Sequence, residues 1–261
     1  MPRELAQSDR RAFLKTLLAV TASSGFSDLC AQTAPFRRVT HGCCISTSEF
    51  NHYALGTRPN VLYMSNNEPI ISNSGNHDFD MALAESLYDL SSTFGVVPGF
   101  AYYEDPSDGQ AFANRDDKRL ARESGTVLFG KRLLAKLLGE EDGDVKVLGV
   151  CAHEFAHIVQ FKKNLQPALM LPGDKVKLIE LHADYLAGYY GAVRKKKNKN
   201  FPAVQFAVLA HSLGDFNNSP EHHGTPRERD NAIQEGFSAY HDGNLSFDDA
   251  VAAGKDYVLK L

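Results

Sequence analysis

Residues 153–157 read HEFAH, and side chains of these types at this spacing could hold a metal ion with a base beside it. On a helix, His153 and His157 lie about one turn apart on nearly the same face, so both imidazoles can bind one cation. Glu154 falls between them in angle, near enough to take a proton from a metal-bound water but not aligned to ligate the metal. The pattern predicts a zinc site with Glu154 as general base; ordinary hydrogen-bonded core histidines are the alternative.

A third ligand is expected because a catalytic zinc ion has three protein ligands and an open position. Residues 174–197 supply Glu180 and Asp184, which are spaced i and i+4 and so share one face of a second helix. We assign Glu180 to the metal and Asp184 to the free N–H of a ligating imidazole. A solvated acidic stripe is the alternative, but the apolar neighbours on most sides of this helix would make unpaired carboxylates costly.

Two further residues with metal-binding side chains fall outside the predicted site. His182 lies two residues after Glu180, and Cys151 lies two residues before His153. Two positions rotate a helical side chain by about 200°, away from the ligand face. We therefore predict that His182 is a packing or surface histidine and that Cys151 packs behind its helix.

The order of these motifs resembles a known group of enzymes. HEFAH followed by the E-x-x-x-D pair resembles the gluzincin zinc metallopeptidases. ELHADYLAG resembles the ELQAD-C-x-AG segment of the bacterial neutral zinc metallopeptidase family, with Tyr185 in place of Cys, and HHGTPRERDNAI resembles its HGT-x-x-x-R segment. The layout is also similar to the catalytic domain of the prenyl-protein and heat-shock zinc endopeptidases, where His-Pro replaces His-Gly. The resemblance covers roughly residues 80–240.

The resemblance implies a role for each matching residue. His153, His157 and Glu180 would bind one zinc ion, and Glu154 would act first as general base and then as acid in peptide hydrolysis. His223, at the His of HGT, would donate a hydrogen bond to the oxyanion of the tetrahedral intermediate.

Other interpretations apply to the segment around His223. This histidine could instead cap or anchor the next helix, which is predicted to begin at Thr225 and Pro226 with a threonine N-cap and proline at the first position. Arg227 and Arg229 are predicted to be charges on the face of that helix.

The predicted fold class is α+β, a mostly helical zincin-like domain with a small sheet whose edge strand borders the active-site cleft. Residues 98–103 are predicted to pair with 125–129, and the polar segment 104–123 to form a flexible loop over the cleft. In the resembled proteins a strand like 125–129 edges the cleft and can pair with an extended peptide; an ordinary core strand is the other interpretation. The helices are predicted at 79–94, 131–139, 144–163, 174–197, 203–214, 225–240 and 246–259.

Composition limits the other possibilities. The chain has 261 residues, 43% of them hydrophobic, and a net charge of −4, so a full core is expected and a basic surface for nucleic acid is not. We divide it into a signal peptide at 1–34, a β-prone extension at 35–78 and a metallopeptidase domain at 79–261. No apolar stretch after the signal is long enough to span a membrane, so the mature form is not expected to do so.

The first residues match a twin-arginine export signal. Arg10, Arg11 and the following AFLK precede an apolar stretch over 16–26 that is too short to span a membrane; a basic amphipathic helix is the alternative. The signal implies export of the folded protein by the twin-arginine machinery to the bacterial periplasm or the exterior. There, Cys43, Cys44 and Cys151 could form at most one intramolecular disulfide, and the sequence does not decide which cysteine pairs with Cys151.

Three functional hypotheses follow from these motifs. The first is an exported zinc endopeptidase that hydrolyses proteins or peptides. The alternative is a non-proteolytic, zinc-stabilised envelope assembly or chaperone module that retains the fold, and Glu154 favours catalysis because a binding module needs no base. Hydrolysis of a non-peptide amide or ester would use the same groups.

Replacing both Arg10 and Arg11 with lysine should keep the protein in the cytoplasm, because the twin-arginine pair is what the export machinery reads. Fractionation of cells that produce the parent and the double variant checks this result. Equal export of both proteins would rule out the twin-arginine signal.

Overall fold

The computed structural model describes residues 70–105, 110–115, 120, 124–172, 176–203 and 223–261. Within these residues the protein has a mostly helical α+β fold with one small sheet, which confirms the predicted class at this level. The predicted signal, Cys43, Cys44, most of the extension at 35–78 and nearly all of the predicted helix at 203–214 lie outside the described residues. The predicted domain boundaries therefore remain predictions.

Six of the predicted helices are present, with ends within three residues of the expected positions. A short helix, α4, was not predicted. In chain order the helices are α1 (His77–Phe94), α2 (Lys131–Leu138), α3 (Gly143–Lys162), α4 (Gln166–Leu169), α5 (Lys177–Lys197), α6 (Pro226–His241) and α7 (Phe247–Val258). Among the described residues, no helix combines the length and apolar character needed to cross a membrane.

Side chains at the helix starts explain several of these boundaries. The Asn76 side chain accepts a hydrogen bond from the backbone of α1, and the buried Asp105 carboxylate accepts the N–H groups of Arg132 and Leu133 at the start of α2. Thr225 and Glu228 form a capping box at the start of α6, with Pro226 at its first turn, as predicted. These side chains satisfy backbone donors that the helices leave unpaired.

The sheet contains β1 (Gly99–Tyr103), β2 (Ala111–Asn114) and β3 (Thr126–Gly130), in the order β1-β3-β2. β3 pairs with β1, as predicted, and is parallel to it, whereas it is antiparallel to β2. Of the two interpretations of 125–129, the ordinary core strand is the correct one and the edge strand is wrong, because β3 is hydrogen-bonded on both sides. The segment 104–123 was predicted to be a flexible loop, and this prediction is wrong for residues 111–114. These residues form β2, an outer strand of the sheet among the described residues.

Both faces of the sheet are covered, which explains why nearly all its residues are buried. Successive strand residues point to opposite faces. One face packs against the helices in the main core, and its members are Tyr102, Ala113, Val127 and Phe129. The other face forms a smaller cluster of Ala101, Tyr103, Phe112 and Leu128, with Ile70 and Leu120 against it.

Helices α3 and α5 form the centre of the domain and position the predicted site. Every residue of α3 from Val145 to Phe161 is buried, and so is every residue of α5 from Leu178 to Val193. Polar side chains on these helices are thereby removed from water and require partners inside the protein. The buried polar residues of the two central segments are Lys146, His153, Glu154, His157, Gln160, Glu180, His182 and Asp184.

Two glycines allow the backbones of α5 and α6 to approach closely. A Cβ atom at Gly188 would lie 2.1 Å from the Ile233 carbonyl oxygen, and one at Gly236 would lie 1.8 Å from the Tyr185 carbonyl oxygen. Any larger residue would push the two helices apart. This close contact brings the buried face of α6 against the middle of α5.

Candidate metal centre

Three side chains from α3 and α5 converge at one buried point. The Nε2 atoms of His153 and His157 are 3.0 Å apart. Glu180 Oε2 is 3.2 Å from Nε2 of His153, and Glu180 Oε1 is 3.7 Å from Nε2 of His157. All three residues offer a ligand atom within 4.8 Å of the others. Such a group can hold a metal ion, and its members are the three residues predicted to do so.

Asp184 lies behind His153, at the position expected from the sequence. The His153 Nδ1 atom is 2.9 Å from Asp184 Oδ1. An ionised carboxylate only accepts hydrogen bonds, so Nδ1 carries the proton and donates it. This contact fixes the orientation of the ring and directs Nε2 toward His157 and Glu180.

Arg229 is the partner of Asp184, and its prediction as a helix-face charge is wrong. Its side chain donates from Nε to Asp184 Oδ2 at 2.7 Å and from Nη2 to Asp184 Oδ1 at 2.8 Å, and only 3% of the residue is exposed. The signal was present in the sequence, since Arg229, Ala232, Ile233 and Gly236 follow the spacing of one helix face. Arg227 is exposed, as predicted.

Gln160 lies behind His157 and was not predicted. The Gln160 Oε1 atom is 2.9 Å from Nδ1 of His157, while its Nε2 atom donates to the Ile179 carbonyl oxygen at 2.8 Å and lies 3.1 Å from Nδ1 of His182. His182 is fully buried and so packs within the core, which is one of its two predicted roles. Cys151 is fully buried as well, as expected for a residue behind the helix.

Glu154 and His223 are the two remaining residues predicted for the site, and they lie on α3 and in the turn before α6. Glu154 follows His153 on α3 and is only 2% exposed. His223 precedes Gly224, which has a φ of +98°, a backbone conformation that favours glycine. A Cβ atom added at Gly224 would lie 2.9 Å from Leu181 Cδ2. The turn therefore packs on α5 beside Glu180. Thr225, rather than His223, caps α6.

The surroundings shift the pKa values of His153 and His157 in opposite directions. Burial lowers the pKa of His153, but the hydrogen bonds and charges of Asp184 and Glu180 outweigh this effect and raise the pKa to about 10. Burial dominates at His157 and lowers its pKa to about 3. Burial alone would raise the pKa of Glu180, yet the imidazoles facing it, His157 and His223 first, hold the pKa well below its ordinary value. Without a metal ion, a proton on His153 balances the negative charge at this point.

The stability of the metal-free protein should therefore fall as the pH rises above about 6.5. The folded-state pKa of His153 is about 10, compared with an ordinary value of 6.5, so its protonation stabilises the fold fully below the lower value. This contribution is lost as the pH rises toward the higher value. Urea unfolding of chelator-treated protein between pH 6 and pH 10 measures the effect.

Glu180→Gln is the comparison variant for this experiment. It removes one carboxylate that raises the folded-state pKa of His153, so its loss of stability should still begin near pH 6.5 but should be smaller and end at lower pH. Parent and variant profiles that coincide would contradict the assigned charge balance.

Comparisons with models of protein families, with curated proteins and with solved structures find no match. The functional inference therefore depends on the residues of this chain and their geometry.

Proposed function

We propose that this protein is an exported zinc-dependent metalloendopeptidase that hydrolyses peptide bonds with a zinc-activated water. The observation that carries the proposal is the buried group of His153, His157 and Glu180, with the buried carboxylate of Glu154 next to it on α3. The zincin-like character of the fold and the gluzincin assignment belong to the same proposal. Export rests on the twin-arginine sequence, and the periplasm or the exterior is the proposed location.

The residues present fit a zinc ion. His153, His157 and Glu180 would hold it through two nitrogens and one oxygen, a set of donors that zinc uses in catalytic sites. Bonds of about 2.0–2.2 Å in a tetrahedral arrangement would place the ligand atoms about 3.3–3.6 Å apart. The two Nε2 atoms are 3.0 Å apart, and they lie 3.2 and 3.7 Å from the two oxygens of Glu180, so the separations fall on either side of this range. When bound, zinc supplies a Lewis acid that polarises a carbonyl group and lowers the pKa of water.

Glu154 is the proposed general base. Its carboxylate would take a proton from the attacking water and pass it to the amine that leaves. A zinc ion that only stabilises a fold normally has four protein ligands, whereas the group found among the described residues has three. This difference favours catalysis over the non-proteolytic envelope module.

His223 is proposed to donate a hydrogen bond to the oxyanion that forms during attack. Its imidazole lies near enough to Glu180 to lower the pKa of that carboxylate, which is consistent with a place beside the reacting group. A donor of this kind stabilises charge that develops only in the transition state. The substrate would be an extended peptide or protein segment.

The test uses Glu154→Gln, which keeps the size of the side chain and removes its basicity. The variant should retain about one zinc ion per chain and lose about 10²–10⁴-fold in the rate of cleavage of a casein-like protein substrate. Elemental analysis and a fluorescent casein assay measure the two quantities. In contrast, Glu180→Ala should lose both the zinc and the activity.

Glu235→Gln provides the matched control because Glu235 is an exposed carboxylate on α6. It should leave zinc content and cleavage unchanged. If Glu154→Gln cleaved casein as fast as the parent, the catalytic proposal would be wrong; if Glu180→Ala retained stoichiometric zinc, the ligand assignment would be wrong.

A further inference from the structure

A chain of buried hydrogen bonds connects α7 with the candidate metal centre. The Val251 carbonyl oxygen lies 3.1 Å from Nε2 of His182. Nδ1 of His182 lies 3.1 Å from Nε2 of Gln160, and Oε1 of Gln160 lies 2.9 Å from Nδ1 of His157. The three side chains in this chain are fully buried, so their polar atoms depend on one another.

The chemistry of each group fixes which atom donates and which accepts in this series of hydrogen bonds. A carbonyl oxygen only accepts, so Nε2 of His182 carries the proton and donates it to Val251. The atom of Gln160 nearest to His182 is the amide nitrogen, which only donates, so Nδ1 of His182 carries no proton and accepts this hydrogen bond. The amide nitrogen of Gln160 can donate both of its hydrogens, one to this Nδ1 and one to the Ile179 carbonyl oxygen.

The orientation of the Gln160 amide then determines the tautomer of His157. With its nitrogen directed to Ile179 and His182, the amide presents its oxygen to Nδ1 of His157. The reversed amide would place its oxygen against the carbonyl oxygen of Ile179, so two acceptors would face each other. His157 therefore donates from Nδ1, and its Nε2 atom has a lone pair directed toward the metal-binding point.

We propose that Gln160 is a positioning residue that holds His157 in the Nδ1–H tautomer required for metal binding, and that His182 orients the Gln160 amide. The two proposed ligand histidines then differ in the group that accepts their Nδ1 proton. His153 has a carboxylate neutralised by Arg229, whereas His157 has a neutral amide that adds no further negative charge to the buried site. The inference rests on the metal site of the proposed function but not on peptide hydrolysis.

The direct test is the tautomer of His157 in the metal-free full-length protein. Long-range ¹⁵N–¹H correlation spectra distinguish a proton on Nδ1 from one on Nε2. The parent should show His157 as the Nδ1–H form, although neutral histidines in water prefer the Nε2–H form. An Nε2–H His157 in the parent would overturn the proposal without any variant.

Gln160→Met tests the cause, because methionine has similar size and cannot accept the His157 proton. Its His157 should change to the Nε2–H form, and its affinity for zinc, measured by competition with a chelator, should fall about 10–100-fold. Gln160→Glu retains an oxygen acceptor and should keep the Nδ1–H form. A Gln160→Met protein with the parent tautomer and zinc affinity would contradict the proposal.

Gln166→Met is the matched control. Gln166 is also a buried glutamine, and its Oε1 accepts from Arg115 at 2.8 Å, but it lies outside the chain that ends at His157. Its replacement should change neither the tautomer nor the zinc affinity. Because neither readout involves a peptide substrate, a protein that binds zinc without hydrolysing peptides could still satisfy this test.

Discussion

The structure depends on the pairing of polar groups between the buried central segments of two helices. From Val145 to Phe161 in α3 and from Leu178 to Val193 in α5 no residue is exposed, so each imidazole, amide and carboxylate between these segments needs a partner within the protein. Arg229 and Asp184 fix His153, while His182 and Gln160 fix His157. Both arrangements direct Nε2 atoms to the same place beside Glu180, where two lone pairs and a negative charge require a proton or a cation.

This requirement extends beyond the two central helices. α6 contributes Arg229, which reaches Asp184 only because Gly188 and Gly236 let α5 and α6 touch. α7 contributes the Val251 carbonyl oxygen, which holds His182. The chemistry of the candidate site therefore involves ligands on two helices and supporting groups on two others. A substitution that separates α5 from α6 would disturb the site without altering a ligand.

The parts of the fold that sequence predicted are those determined by local periodicity. The helix boundaries and the shared faces of His153 with His157 and of Glu180 with Asp184 follow from the helical repeat. The partners that meet across elements do not follow from it. The spacing of Arg229 with Ala232, Ile233 and Gly236 marks one helix face, but only the packing of that face against α5 shows that Asp184 is the partner of Arg229. The four-residue strand β2 was too short to show a strand period within a polar segment. Without β2, the sequence could not decide whether β3 is an edge strand or a core strand.

The hydrogen bond from His182 to Val251 has a consequence for how the site forms. These residues are 69 positions apart in the chain, and Asp184 and Arg229 are 45 apart, whereas His153 and Glu180 are separated by only 27. Contacts with large sequence separation form late because closing a long loop costs entropy before the contact compensates for it. The two ligand-bearing helices can meet early in folding, but their histidines acquire fixed orientations only when α6 and α7 have docked. Tight binding of a metal ion at this group would thus depend on the completion of the tertiary structure, and a partly folded chain would hold the ion weakly.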